Sequence, residues 1–169
     1  VVGVPCSVEG DIPMVQQSVG FDTVSRVFAG IVGSFARDAK TSKNKWYFVR
    51  IAGGGRSHVL VEVALHVHPN LVLMSEEVAA RGQSLNDIVQ MVANNVEKRQ
   101  KQGQNYGVVL LPDGLVKDTP EISRLLAELA DLTIDPGRDL FDVRAMMSPW
   151  TCAVFEQFPQ DVQYDFVAE

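Results

Sequence analysis

A chain of 169 residues, 46% hydrophobic and 21% charged, is long enough for one domain with a well-filled core and too apolar for a disordered segment. Its 15 basic residues are outweighed by 21 acidic ones, a net charge of -6 with no Lys/Arg block, which argues against nucleic acid and membrane surfaces as partners. Apolar runs stop short of the ~20 residues of a membrane span, nothing resembles a signal peptide, and Cys6 and Cys152 lack metal or redox spacing, so a cytoplasmic chain with two free thiols is expected.

Val1-Val2-Gly3-Val4 reads as a short buried strand ended by Pro5, and Glu9 and Asp11 fall in the polar turn that follows. In open α/β sheets ligands bind beyond the carboxyl ends of strands, so two acids at such an end stand at the mouth of a crevice. A chain that begins directly on an apolar strand is expected to be a piece of something longer. Val24, Val27, Phe28, Ile31, Val32 and Phe35 then recur at helical spacing, the stripe a helix needs to lie on a sheet. Ala39 to Lys45 reads as a polar connection, and Trp46 to Ile51, aromatic and β-branched, as a strand.

A Gly53-Gly54-Gly55 loop precedes Ser57, which can cap a helix over the mostly apolar run Val59 to Val67. Beyond Pro69-Asn70, Leu71 to Met74 reads as a strand ending at Glu76 and Glu77, which fit equally a crevice wall or the start of a loop. His66 and His68 have no third ligand nearby, and no metal site is expected. Ser84 to Asp87 is close to a capping box for the helix carrying Leu85, Ile88, Val89, Val92 and Val96. Gly107 to Leu111 is a strand stopped by Pro112-Asp113-Gly114, and Thr119-Pro120 opens a helix burying Ile122, Leu125, Leu126 and Leu129. After Asp135-Pro136-Gly137 only helical signals return, around Ser148-Pro149-Trp150, Val154, Phe155 and Phe158. The alternation implies an α/β fold: a mostly parallel, Rossmann-like sheet flanked by helices over residues 1–132, with a helical appendage over 133–169.

Val1 to Pro5 with Ser7-Val8-Glu9-Gly10-Asp11, Gly20-Phe21-Asp22-Thr23, the Gly53 to His58 loop, Ser75 to Ala80, Pro112-Asp113-Gly114-Leu115 and Ser148-Pro149-Trp150 resemble, in order, the pyrophosphate-dependent phosphofructokinases. The likeness is to the long class that includes the plant two-subunit enzyme and fused apicomplexan forms. It implies the phosphofructokinase fold and a parent enzyme of glycolysis that phosphorylates fructose 6-phosphate. It also implies magnesium for the intact enzyme, none held by this segment alone, and other phosphofructokinase domains or subunits as partners in a homo- or hetero-oligomer.

In that family a K-T-I-D-G-D turn supplies the base that takes the proton from the 1-hydroxyl, needed because a neutral hydroxyl is a poor nucleophile towards a phosphoryl group. Carried over, its Lys is Cys6, its Thr is Ser7, the base position is Glu9, and Asp11 is unchanged. The M-G-R loop that binds sugar phosphate is Ala52-Gly53-Gly54, with Arg56 the nearest replacement for its Arg. The P-E-G-L acid that contacts the sugar is Asp113, and a Lys-Tyr pair that reaches in from a neighbouring subunit falls on Asn44-Lys45. Framework residues Ser57-His58 and Glu62 are retained. Losing the turn's Lys removes a charge that opposes the developing negative charge of the transferring group, a term on the order of 10²-fold in rate. A Glu base is competent, but its extra methylene shifts the carboxylate by roughly 1 Å. The resemblance therefore implies a catalytically degenerate, regulatory or structural half that retains a sugar phosphate as candidate ligand. The competing reading is an active, diverged phosphofructokinase with Glu9 as base, and a third is a purely structural assembly domain.

Overall fold

In the computed structural model, which describes residues 2–7, 12, 14–15, 18–53, 56–132 and 140–168, the chain forms two compact units, Val1–Asp118 and Thr119–Glu169. The first unit runs α1 (Phe21–Ser42), β1 (Trp46–Ile51), α2 (His58–Val67), β2 (Leu71–Val72), α3 (Ser75–Arg81), α4 (Leu85–Lys101) and β3 (Gly107–Pro112). The strands form a parallel sheet in the order β1-β3-β2, with Trp46 opposite Gly107, Ile51 opposite Pro112 and Leu71 opposite Val109.

The central strand explains why both faces are covered. Its residues alternate between faces: Val108 and Leu110 join Val32 of α1 and Val59, Leu60 and Val63 of α2 in one core. Leu111 packs instead against a second core of Leu73, Val78, Ile88 and Leu115, drawn from the α3 and α4 side. Each such Val or Leu taken from water contributes about 1.5–3 kcal/mol, and a strand buried on both faces reads as a continuous apolar run. Gly107 is required where it stands, because a Cβ there would lie 2.5 Å from the Trp46 ring and 2.7 Å from Asn70 Oδ1. Asn70 uses that oxygen to accept from the Val108 N–H at 2.8 Å, and its own N–H donates to the Val108 carbonyl at 2.9 Å.

The parallel sheet flanked by helices bears out the expected α/β class. Several local expectations are corrected. Residues 2–5 are not in a strand, and Val2 and Val4 are exposed; a strand is defined by its neighbour, which an apolar run cannot supply alone. The supposed polar connection from Ala39 is the last turn of α1: Ala39 is buried one turn beyond Ala36 and two turns beyond Val32, and the helix closes at Lys43, whose N–H donates to the Ala39 carbonyl. Glu76 and Glu77 begin α3 rather than a loop, their charges favoured at a helix N-terminus by about 0.3–1 kcal/mol. The capping box of α4 forms as read, Ser84 Oγ accepting from the Asp87 N–H and the Asp87 carboxylate from the Ser84 N–H.

The second unit contains α5 (Pro120–Asp131), α6 (Leu140–Met146), α7 (Pro149–Phe155) and α8 (Gln160–Ala168). Leu125, Leu129, Val143, Met147 and Phe155 form its core. Glu128 of α5 accepts from the Ser148 N–H, the Ser148 hydroxyl at 3.0 Å and the Thr151 hydroxyl, tying α5 to the start of α7.

Candidate functional site

In a parallel sheet the carboxyl ends of the strands are where side chains and loops converge on a ligand. At that edge β1 runs into Ala52 and Gly53, and β3 runs into Asp113. The ladder continues one step beyond the strands, the Asp113 N–H donating to the Ile51 carbonyl at 3.0 Å. Gly53 turns the chain sharply: the Arg56 N–H donates to the Gly53 carbonyl at 2.9 Å, and a Cβ on Gly53 would stand 2.5 Å from the Arg56 carbonyl oxygen. Arg56 itself is exposed.

Beyond this turn the chain is held by a buried polar knot. Ser57, only 2% exposed, does not bond to the first turn of α2 as a cap. Its hydroxyl accepts from the Ser75 N–H at 3.1 Å, and its own N–H donates to Glu76 Oε1 at 2.9 Å. One serine thus fastens the loop after β1 to the start of the helix after β2. Burial works to raise the Glu76 carboxyl, but the Ser57 hydroxyl and N–H, the helix N–H of Glu76 and the His58 charge outweigh it and hold the carboxyl below its ordinary value. His58 stacks on Phe21 at 5.6 Å with the rings 10° from parallel, which brings the start of α1 to the same edge.

Asp113 is engaged as well. Arg50, a β1 residue, places its Nε 3.0 Å from Asp113 Oδ1, so the carboxylate at the sugar-contacting position already faces a guanidinium. Ser7 reaches this edge indirectly: its carbonyl accepts from the Ser18 hydroxyl at 2.9 Å, and Cys6 bridges Val19 just ahead of α1.

Ala52, Gly53, Arg56 and Asp113 are therefore brought together at one edge, with Ser7 approaching from the start of α1. Asn44 and Lys45 are not with them. They precede β1, a strand of six residues, and so lie roughly 20 Å away at the opposite end of the sheet. Lys45 there sits 3.5 Å from Asp38, which also accepts from the Tyr47 hydroxyl. Glu9, Asp11 and Gly54 lie outside the described residues. Glu76 and Arg50 are the site residues that sequence reasoning left undecided or missed. Glu77 instead pairs with Arg81 along its own helix at 2.5 Å. Among the described residues no group of three His, Cys, Asp or Glu side chains could hold a metal. With Asp113 paired to Arg50, the described residues at this edge do not fit a magnesium ion. No helix among them is long and apolar enough to cross a membrane.

A phosphofructokinase family model matches residues 1–146. The pyrophosphate–fructose 6-phosphate 1-phosphotransferase subunit alpha of Solanum tuberosum is 37% identical over 165 residues, which cover 96% of this chain and 27% of the relative. Subunit beta from the same plant is 35% identical over 172 residues, 100% of this chain and 30% of the relative. The pyrophosphate–fructose 6-phosphate 1-phosphotransferase of Porphyromonas gingivalis is 31% identical over 180 residues, 100% and 33%. The chain spans about a third or less of the length of these relatives.

Proposed function

The chain belongs to the phosphofructokinase family, and from that premise we propose that it is part of a pyrophosphate-dependent 6-phosphofructokinase, drawn from its catalytically degenerate half. The parent would convert fructose 6-phosphate to fructose 1,6-bisphosphate in the cytoplasm, using magnesium. This half would pair with a catalytic domain or subunit and bind a sugar phosphate at the carboxyl edge of β1 and β3.

The observation that carries the reading is the state of that edge. The framework is intact: Ser57 ties loop to helix, and Phe21 stacks on His58. The charges that chemistry requires are missing or engaged. Cys6 stands at the Lys position, Gly54 at the Arg position, and Asp113 is paired with Arg50. A transferring phosphoryl group needs fixed positive charge opposite its developing negative charge. Among the described residues, Arg56, exposed just beyond Gly53, is the cation that would meet a sugar phosphate. Asn44 and Lys45, remote from this edge in one protomer, suit the role of reaching into a neighbouring subunit's site. A ligand here shifts its partner only as far as it prefers one conformational state over another.

The test uses the complete domain isolated from its partner. The reading requires no phosphoryl transfer together with a rise in melting temperature on adding fructose 6-phosphate. Measurable transfer would overturn it, and absence of any thermal shift would favour a purely structural role.

A further inference from the structure

β1 is reached from α1 through the short connection Lys43-Asn44-Lys45, exposed throughout at the amino edge of the sheet. Both ends of it are pinned. Lys43 turns the chain in the left-handed region at φ 58°, its N–H donating to the Ala39 carbonyl at 2.9 Å. The Lys45 carbonyl accepts from the Gly107 N–H at 3.1 Å, which joins it to β3. Trp46 anchors the next position. Its ring lies against Gly107, its Nε1–H donates to Asn105 Oδ1 at 3.4 Å, and the Arg99 guanidinium lies over both the Trp46 ring at 5.9 Å and the Tyr106 ring at 5.8 Å. Arg99 Nε–H also donates to the Tyr106 carbonyl at 3.4 Å. A guanidinium within about 6 Å of an aromatic face is held there by the ring quadrupole. The backbone at Lys45 is thus fixed from both sides.

The side chain is directed as well. Lys45 Nζ stands 3.5 Å from Asp38 Oδ2, and the same carboxylate oxygen accepts from the Tyr47 hydroxyl. Tyr47 is held in turn by its stack on Phe35 at 5.1 Å, the rings 22° from parallel. The Tyr47 hydroxyl, with Lys45 assisting, outweighs desolvation and keeps the Asp38 carboxyl below its ordinary value, so the acid is charged at neutral pH. An ion pair between two half-exposed groups adds little stability. Its effect is to select one rotamer of a long side chain, whose immobilisation on binding otherwise costs about two- to twelvefold in affinity.

We propose that Asp38, held by Tyr47, is a positioning residue that presents the Lys45 ammonium to the anionic sugar phosphate in a neighbouring subunit's site. The inference rests on the reading above that Asn44 and Lys45 reach into that site. It gives the connection between α1 and β1 a task separate from the chemistry this half lacks: the chain completes its partner's site with a charge already aimed. Asp38 and Tyr47 act through Lys45 and not on the ligand.

Fructose 6-phosphate kinetics of the intact polypeptide, assembled with its catalytic partner, test this. Lys45→Ala should raise KM at least about tenfold, the order of a lost hydrogen bond to a charged group. Asp38→Asn keeps an oxygen for the Tyr47 hydroxyl and loses the charge, while Tyr47→Phe keeps the stack on Phe35 and frees Asp38. Each should raise KM about two- to twelvefold with kcat within about twofold. In a Lys45→Ala background Asp38→Asn should add nothing, a coupling that a general loss of structure would not produce. A KM indifferent to Lys45→Ala would overturn the reading of the neighbour's site and this assignment with it. A KM that responds to Lys45→Ala but to neither Asp38→Asn nor Tyr47→Phe would overturn the positioning role alone. A lower KM in Asp38→Asn would overturn it too, since Asp38 would then hold Lys45 back.

Discussion

Ser57→Ala isolates the polar knot that holds the candidate site. The substitution leaves the buried Ser75 N–H without its acceptor, on a residue only 1% exposed. An unpaired buried donor costs about 1–3 kcal/mol. It also removes the hydroxyl that does most to hold the Glu76 carboxyl down. That second loss is discounted to about 1 kcal/mol or less, because Glu76 is substantially exposed to solvent. Together the change is about 1–4 kcal/mol, and for a unit of 118 residues a fall in melting temperature of about 4–16 °C. Urea unfolding followed through Trp46, in a Trp150→Phe background, reads this unit alone. The pH dependence supplies an independent check. A carboxyl whose folded pKa lies below its ordinary value near 4.5 contributes stability that is present above that value and lost as pH falls through the folded pKa. The parent should lose this increment below about pH 4.5, and Ser57→Ala should show a smaller loss over the same range. Exposed Ser34, whose hydroxyl bonds only within α1 and to Arg37, is the control, and its change to Ala should stay within about 0.5 kcal/mol. A Ser57→Ala effect no larger than that control, with an unaltered acid limb, would refute the knot.

Gly53→Ala forces a Cβ to within 2.5 Å of the Arg56 carbonyl oxygen, so the turn must move; a loss of about 1–3 kcal/mol and a weaker thermal response to fructose 6-phosphate are expected. In the second unit, the Thr151 hydroxyl, the Ser148 N–H and the Ser148 hydroxyl hold the Glu128 carboxyl below its ordinary value against desolvation. Glu128→Gln should therefore lower the melting temperature of residues 119–169 at neutral pH and flatten their loss of stability on acidification, both measurable through Trp150 fluorescence.

What the sequence made legible is what short-range chemistry decides. The Ser84–Asp87 capping box, Pro120 at the first turn of α5 and the aromatic, β-branched run of β1 each carry their instruction within a few residues, and each forms. The apolar run at residues 2–4 carries no such instruction, because strand formation depends on which edge it meets. Helix α3 had its own signals, Glu76-Glu77 at the start and a left-handed Gly82 at the end, hidden by the brevity of seven residues. In the candidate site, the convergence of Ala52, Gly53 and Asp113 followed from strand order. The Ser57–Glu76 bond, 19 residues apart, and the Arg50–Asp113 pair across β1 and β3 did not, since both depend on parallel register. Asn44-Lys45, which the resemblance assigns to a neighbouring subunit's site, lies a strand's length from this edge in its own chain.

The proposed function requires this chain to hold the phosphofructokinase framework without performing transfer. The decisive measurement is fructose 6-phosphate turnover by the intact polypeptide carrying Glu9→Gln. Turnover within about twofold of the parent is expected if the chemistry resides elsewhere, whereas a fall on the order of 10²-fold or more, the range lost with an essential base, would contradict it.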